Sequence, residues 1–174
     1  MKLKTERLTI RFVGADDWRA VLGIWADFEA SPYARYDVPL AADEATAREK
    51  TRRWAEAAPL GRDMFFAVCL EGAVIGYADF HRTERGYEFG YCFHSAFHSL
   101  GYARESLSAL LERLADGRKT TFTAGTALEN LPSVRLLDAL GFERVGEEKV
   151  SFYKDENGAD IFFDGGIFAR TLNG

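Results

Sequence analysis

The sequence has few of the residues that staple, interrupt or ligate: 2 cysteines, 4 prolines and 3 histidines among 174 residues. Cys69 and Cys92 each lie in an apolar, strand-like run. That placement points to buried free thiols in a reducing cytoplasm rather than to a disulfide framework. No apolar stretch is long enough to cross a bilayer, and the amino terminus, MKLKTERLTIRF, lacks an apolar signal core. Basic residues number 22 against 27 acidic ones, for a formal charge of −5. A general nucleic-acid binder needs a basic face, so neither nucleic acid nor a membrane is expected as a partner. Repeats, low-complexity tracts and Ser/Pro-rich linkers are missing too. The expectation is one domain over residues 1–174, a monomer or homodimer in the cytoplasm, large enough for a substantial core.

Hydrophobic residues make up 47% of the chain and aromatics 14%, which favours a folded state over disorder. LTIRFV (8–13) alternates apolar and polar residues and reads as a strand. After it, Trp18, Val21, Leu22, Trp25 and Phe28 recur at helical spacing. Residues 29–42, with two of the prolines, read as a loop, and 43–58 as a surface helix. The period then changes. MFFAVCL, AVIGYADF and GYEFGYCF are apolar-aromatic runs with short Gly-containing connections, the pattern of antiparallel hairpins. A helix ending near Asp116-Gly117, a strand at 119–126 and a helix at 130–142 capped by Asn130 follow. RVGEEKVSFY and DIFFDGGIFA form a last hairpin across an Asn-Gly turn. Hairpins followed by strand–helix units predict a mixed α/β layer fold.

The stretch FHSLGYARESLSALLERL (97–114) holds the chemistry. Gly101 and Ala103 leave the start of its helix almost bare, where four N–H groups lack partners. Two readings fit the stretch alone. In one, Ser99 is an ordinary N-cap and the leucines pack the helix on a sheet. In the other, the bare amides and the positive end of the helix dipole seat a phosphate.

The order of the pieces favours the second. TERLTIR (5–11), VIGYADF (74–80), YEFGY (87–91), HSLGYARES (98–106) and ENLPSVRLLDALGF (129–142) together resemble the GNAT family of N-acetyltransferases, in particular its RimJ/RimL-like branch. The resemblance covers nearly the whole chain. It implies a central, mostly antiparallel sheet of about seven strands flanked by about four helices, with strands four and five splayed apart.

It also implies acetyl-coenzyme A as cofactor and direct transfer of acetyl to a primary amine. The acceptor would be a protein N-terminus or a small amine. By the same resemblance, Tyr91, Cys92 and Phe93 would pair with the pantetheine arm through their backbone. His98, Ser99, Leu100, Gly101, Tyr102 and Ala103 would cradle the pyrophosphate. Asn130 would bond the pantetheine and Ser133 would sit near the thioester. Glu88 would serve as base, directly or through a water held in the space beside Gly90. Tyr33 and Tyr36 would border the acceptor. Two positions depart from the family pattern. His98 stands where Gln or Arg is usual, and Leu137 stands where many members carry the tyrosine that protonates the departing thiolate. Ser133 is the candidate for that task. Leu137 also keeps open the alternative of a non-catalytic acyl-coenzyme A binding module. No metal site is expected: His94 and His98 precede the helix and make no helical pair.

Overall fold

The alternation at Leu8 and Ile10 becomes the core face of β2 (Leu8–Phe12). The computed structural model describes residues 1–39 and 42–173. A short strand, β1 (Lys2–Lys4), precedes β2 and pairs with it antiparallel. The remaining strands are β3 (Asp63–Leu70), β4 (Ala73–Arg82), β5 (Gly86–Phe93), β6 (Thr120–Ala127), β7 (Glu143–Lys154) and β8 (Asp160–Leu172). They form one sheet in the order β1-β2-β3-β4-β5-β6-β8-β7. The helices are α1 (Trp18–Glu29), α2 (Glu44–Ala57), α3 (Tyr102–Ala115) and α4 (Leu131–Ala139).

The sheet has eight strands rather than about seven because Lys2–Lys4, ahead of TERLTIR, adds a strand of its own. Thr5 makes a turn, with its hydroxyl accepting from the Leu8 N–H at 3.0 Å. Lys2–Lys4 folds back as a separate strand, so the splayed pair is β5 and β6 in this count. These two are the parallel neighbours, and they pair only through Gly86, Tyr87 and Glu88. Beyond that point β5 continues along β4 to Phe93, and β6 along β8 to Ala127. The strands therefore part, leaving a wedge whose closed end is at Gly86. A Cβ there would overlap the Thr121 carbonyl oxygen, so the tight end of the wedge requires glycine.

Apolar side chains cover both faces of the sheet. On one face Leu107, Leu110 and Leu111 of α3 and Leu137 of α4 pack on Phe66, Phe80, Phe89 and Phe122. Each of these leucines is fully buried, contributing about 1.5–3 kcal/mol by transfer from water. On the other face Trp18, Val21, Ile24 and Trp25 of α1 cluster with Ala47 and Tyr77, with Trp54 of α2 beside them. The Trp25 indole N–H donates to the Tyr77 hydroxyl at 3.0 Å. Trp54 stacks on Phe65 at 4.2 Å. The two helical layers thus fix β5 from both sides while its β6 edge stays open.

Candidate active site

The wedge opens at its wide end onto the start of α3. His94 to Gly101 cross from β5 to the helix, with one 3-10 turn at Ser95–Phe97. Ser99 is not the N-cap. It adopts a left-handed conformation (φ 60°), and the cap is Gly101, also left-handed (φ 83°) and without a side-chain capping bond. Gly101 therefore sits just before the first turn rather than within it. Any L side chain there would be strained. Among the described residues the amides from Ser99 to Ala103 have no protein acceptor, so an array of donors faces outward.

Arg7 holds this array in place. Its Nε donates to Glu105 at 2.7 Å and its Nη1 to the Leu100 carbonyl at 3.0 Å. Its guanidinium lies 4.4 Å from the Tyr102 ring centroid. Partial burial works to raise the Glu105 carboxyl, but hydrogen bonds from Thr5 and Arg7 outweigh it and hold the group below its ordinary range. His98 turns back: its Nε2 lies 2.8 Å from the Phe93 carbonyl. That carbonyl can only accept, so Nε2 carries the proton and the ring braces the loop on the end of β5.

The opposite wall is the start of α4. Asn130 is its N-cap, accepting from the Ser133 N–H at 3.3 Å. The Asn130 side-chain NH2 has no protein partner among the described residues. The Ser133 Oγ lies 2.8 Å from the Tyr91 hydroxyl. Leu137 is wholly buried, so that position packs the core.

The α1/α2 face of β5 carries Glu88, Gly90 and Cys92. Glu88 is exposed near the closed end and has no hydrogen bond or ion pair among the described residues. The space beside Gly90 is bordered by Asp79. A Cβ at Gly90 would lie 3.0 Å from an Asp79 carboxylate oxygen. Asp79 itself is 3.1 Å from His81 Nε2, and His81 Nδ1 is 2.8 Å from Asp63. The hydrogen bond that His81 donates to Asp79, reinforced by the one to Asp63 and opposed by burial, pushes His81 up to about 9. Burial pushes the Cys92 thiol up to about 12, with Asp37, Asp27 and Asp79 adding to it. Such a thiol is an inert core group rather than a nucleophile.

The loop after α1 closes over this face. Tyr36 packs edge-on against Phe163 of β8 at 5.3 Å. The Tyr153 hydroxyl of β7 donates to the Ala34 carbonyl at 3.2 Å. Tyr33, half-buried, donates its backbone N–H to Ser31 Oγ at 3.2 Å. Asp37 is open to solvent yet ringed by protein; that desolvation lifts its carboxyl, with Asp79 and Glu29 adding to the rise. Leu40 and Ala41 of this loop lie outside the described residues. Arg7, Asp37, Asp79, His81 and the Tyr91 phenol were not visible as site groups in the sequence. The only available signal was the alternation of ADFHR, which puts Asp79 and His81 on one face. Among the described residues no group of three His, Cys, Asp or Glu is arranged to hold a metal ion, and no helix is long and apolar enough to cross a membrane.

Comparison with known proteins agrees with this fold. Residues 7–143 match the family model of the acetyltransferase (GNAT) domain. A curated relative, the uncharacterized N-acetyltransferase YnaD of Bacillus subtilis (strain 168), is 27% identical over 164 residues, spanning 94% of this chain and 95% of its own length. A solved GNAT-family acetyltransferase from Bacillus anthracis superposes with a TM-score of 0.78 at 26% identity, covering 98% of both chains. RimL, a ribosomal L7/L12 alpha-N-protein acetyltransferase solved in complex with coenzyme A, gives a TM-score of 0.82 at 18% identity over 99% of both chains. At that identity the likeness is one of fold.

Proposed function

The chain belongs to the acetyltransferase (GNAT) family, and from that premise we propose that it moves acetyl from acetyl-coenzyme A to a primary amine by direct attack. The acceptor is a protein N-terminus or a small amine. One observation carries the reading: β5 loses its β6 partner after Glu88, and the resulting wedge ends at the unpaired amides of Ser99 to Ala103. An extended arm ending in a diphosphate fits that shape and donor set. When bound, the cofactor supplies acetyl activated as a thioester.

The chain's own groups divide the remaining work. The amides from Ser99 to Ala103 take the diphosphate, aided by the positive end of α3. His98 acts through the loop it braces. The free edge of β5 at Tyr91, Cys92 and Phe93 offers backbone groups to the arm as an adjoining strand would. The unpaired NH2 of Asn130 donates to it from the α4 side. Glu88 takes the amine proton, directly or through water, and its freedom from other partners suits it to the task. Asp79 is committed to His81 and supplies a fixed negative field. Tyr33, Tyr36 and Asp37 border the acceptor from the loop. Ser133 faces the sulfur.

Leu137 favours a second reading, a non-catalytic acyl-coenzyme A binding module, because no phenol stands at that position. Free thiol released from acetyl-coenzyme A in the presence of an amine panel separates the two. Amine-dependent release supports the transferase. Saturable cofactor binding with no release above background for any amine would leave the binding module.

A further inference from the structure

Tyr91 has only a backbone role in the mechanism above, yet its side chain crosses the wedge. It leaves β5 past the point where β6 departs, and its hydroxyl reaches Ser133 Oγ at 2.8 Å and the Ser133 carbonyl at 3.5 Å. The ring lies beside Phe89 at 6.1 Å. Burial pushes the phenol up to about 12 against the opposing bond to Ser133, and no charged side chain contributes. The group is thus protonated throughout the neutral range. The 2.8 Å distance admits either direction; a phenol is a stronger acid than an aliphatic alcohol, which favours Tyr91 as the donor and Ser133 Oγ as the acceptor. A serine hydroxyl has a single hydrogen, and that hydrogen then remains available to a third group in the wedge.

We propose that Tyr91 is a positioning residue for the leaving group: by donating to Ser133 Oγ, it turns the serine hydrogen toward the cofactor sulfur. The proposal rests on the acetyl-coenzyme A reading. In the step it serves, the amine nitrogen bonds to the carbonyl carbon, the carbon–sulfur bond breaks and its electron pair leaves on sulfur. Ser133 keeps its proton and donates a hydrogen bond to that sulfur, since an alcohol is a far weaker acid than a thiol with its pKa of about 8.5. The amine proton passes to the base and solvent, and solvent protonates the thiolate. A phenol from β5, acting through Ser133, thereby covers the position that Leu137 leaves apolar.

The product complex tests this without any acceptor. The thiol of bound coenzyme A is titrated by its thiolate ultraviolet absorption in the wild type, Y91F, S133A and the double variant, with the desulfo-coenzyme A complexes as blanks. The protein's own thiols interfere little, because burial raises both Cys69 and Cys92. In the wild type the bound thiol should ionise about one pH unit below free coenzyme A. Y91F and S133A should each reverse that shift, a tenfold change in acidity, and the double variant should add nothing further. Coenzyme A affinity of Y91F at neutral pH should stay within about threefold of wild type, since one neutral hydrogen bond is at stake. A wild-type thiol titration in Y91F beside a shifted one in S133A would overturn the proposal. So would additive shifts, or an affinity loss beyond tenfold in Y91F, which would make Tyr91 a shaper of the wedge. Failure of coenzyme A to bind the wild type would bring down the cofactor reading, and this proposal with it.

Discussion

At the scale of single residues, Glu88 and His81 on the α1/α2 face of the sheet make separable predictions. Glu88 is exposed and unpartnered among the described residues, so Glu88→Gln should lower turnover by at least tenfold while leaving coenzyme A affinity within about twofold. The loss should be largest near neutral pH, where the acceptor amine is mostly protonated; a wild-type rate would remove Glu88 from the mechanism. His81 makes a stability prediction. Its folded pKa lies at about 9 against an ordinary 6.5, so its contribution is fully present below pH 6.5 and is lost as pH rises through 9. The melting temperature of the wild type should fall over that window, and His81→Asn should flatten the fall. Equal slopes in thermal melts of both proteins would show that the Asp63–His81–Asp79 chain adds nothing. The alternation in ADFHR was enough to put Asp79 and His81 on one face. Their meeting with Asp63 and Gly90 depends on the registers of β3 with β4 and of β4 with β5, which no local pattern encodes.

At the scale of elements, the start of α3 depends on a clasp from the other end of the chain. Arg7→Met removes the side-chain ties to Glu105 and Leu100 and the contact with Tyr102, leaving the backbone N–H bond to Glu105. Coenzyme A affinity should drop about tenfold, a typical effect of losing charge-assisted bonds. Rates with S-acetylpantetheine, which lacks the diphosphate, should be unchanged; an equal loss with both thioesters would mean that Arg7 supports the wedge at large. Gly101→Val forces a branched side chain into a left-handed cap at a cost of about 1–2 kcal/mol. It should weaken coenzyme A binding with the fold retained, and unchanged affinity in calorimetry would count against the phosphate loop. Helices and hairpins were legible because their signals are local: leucine spacing along α3, the Asn130 cap, Asn-Gly in the last turn. At the start of α3 the stretch alone left two readings open, because Ser99 has the chemistry of a cap; backbone geometry assigned that place to Gly101. Arg7 lies 98 residues from Glu105, beyond the reach of any periodic pattern.

At the scale of the molecule, the wedge follows from the whole sheet. β5 is held by β4 and by helical layers on both faces, and β6 is held by β8 and followed by α4. The mixed sheet was legible from the order of hairpins and strand–helix units; its splayed pair came only with the family resemblance. The eighth strand was not, because Lys2–Lys4 is too short to show a period. On the proposed reading the acceptor's pocket is built from side chains brought together from Tyr33, Tyr36, Asp37 and β7–β8, and the acceptor is therefore the least legible part of the site. The most direct measurement is a coenzyme A titration of the isotope-labelled protein followed by backbone amide resonances. Saturable shifts largest at Ser99 to Ala103 and at Tyr91 to Phe93 are predicted. Saturable binding with those amides unmoved, or no binding at all, would contradict the account.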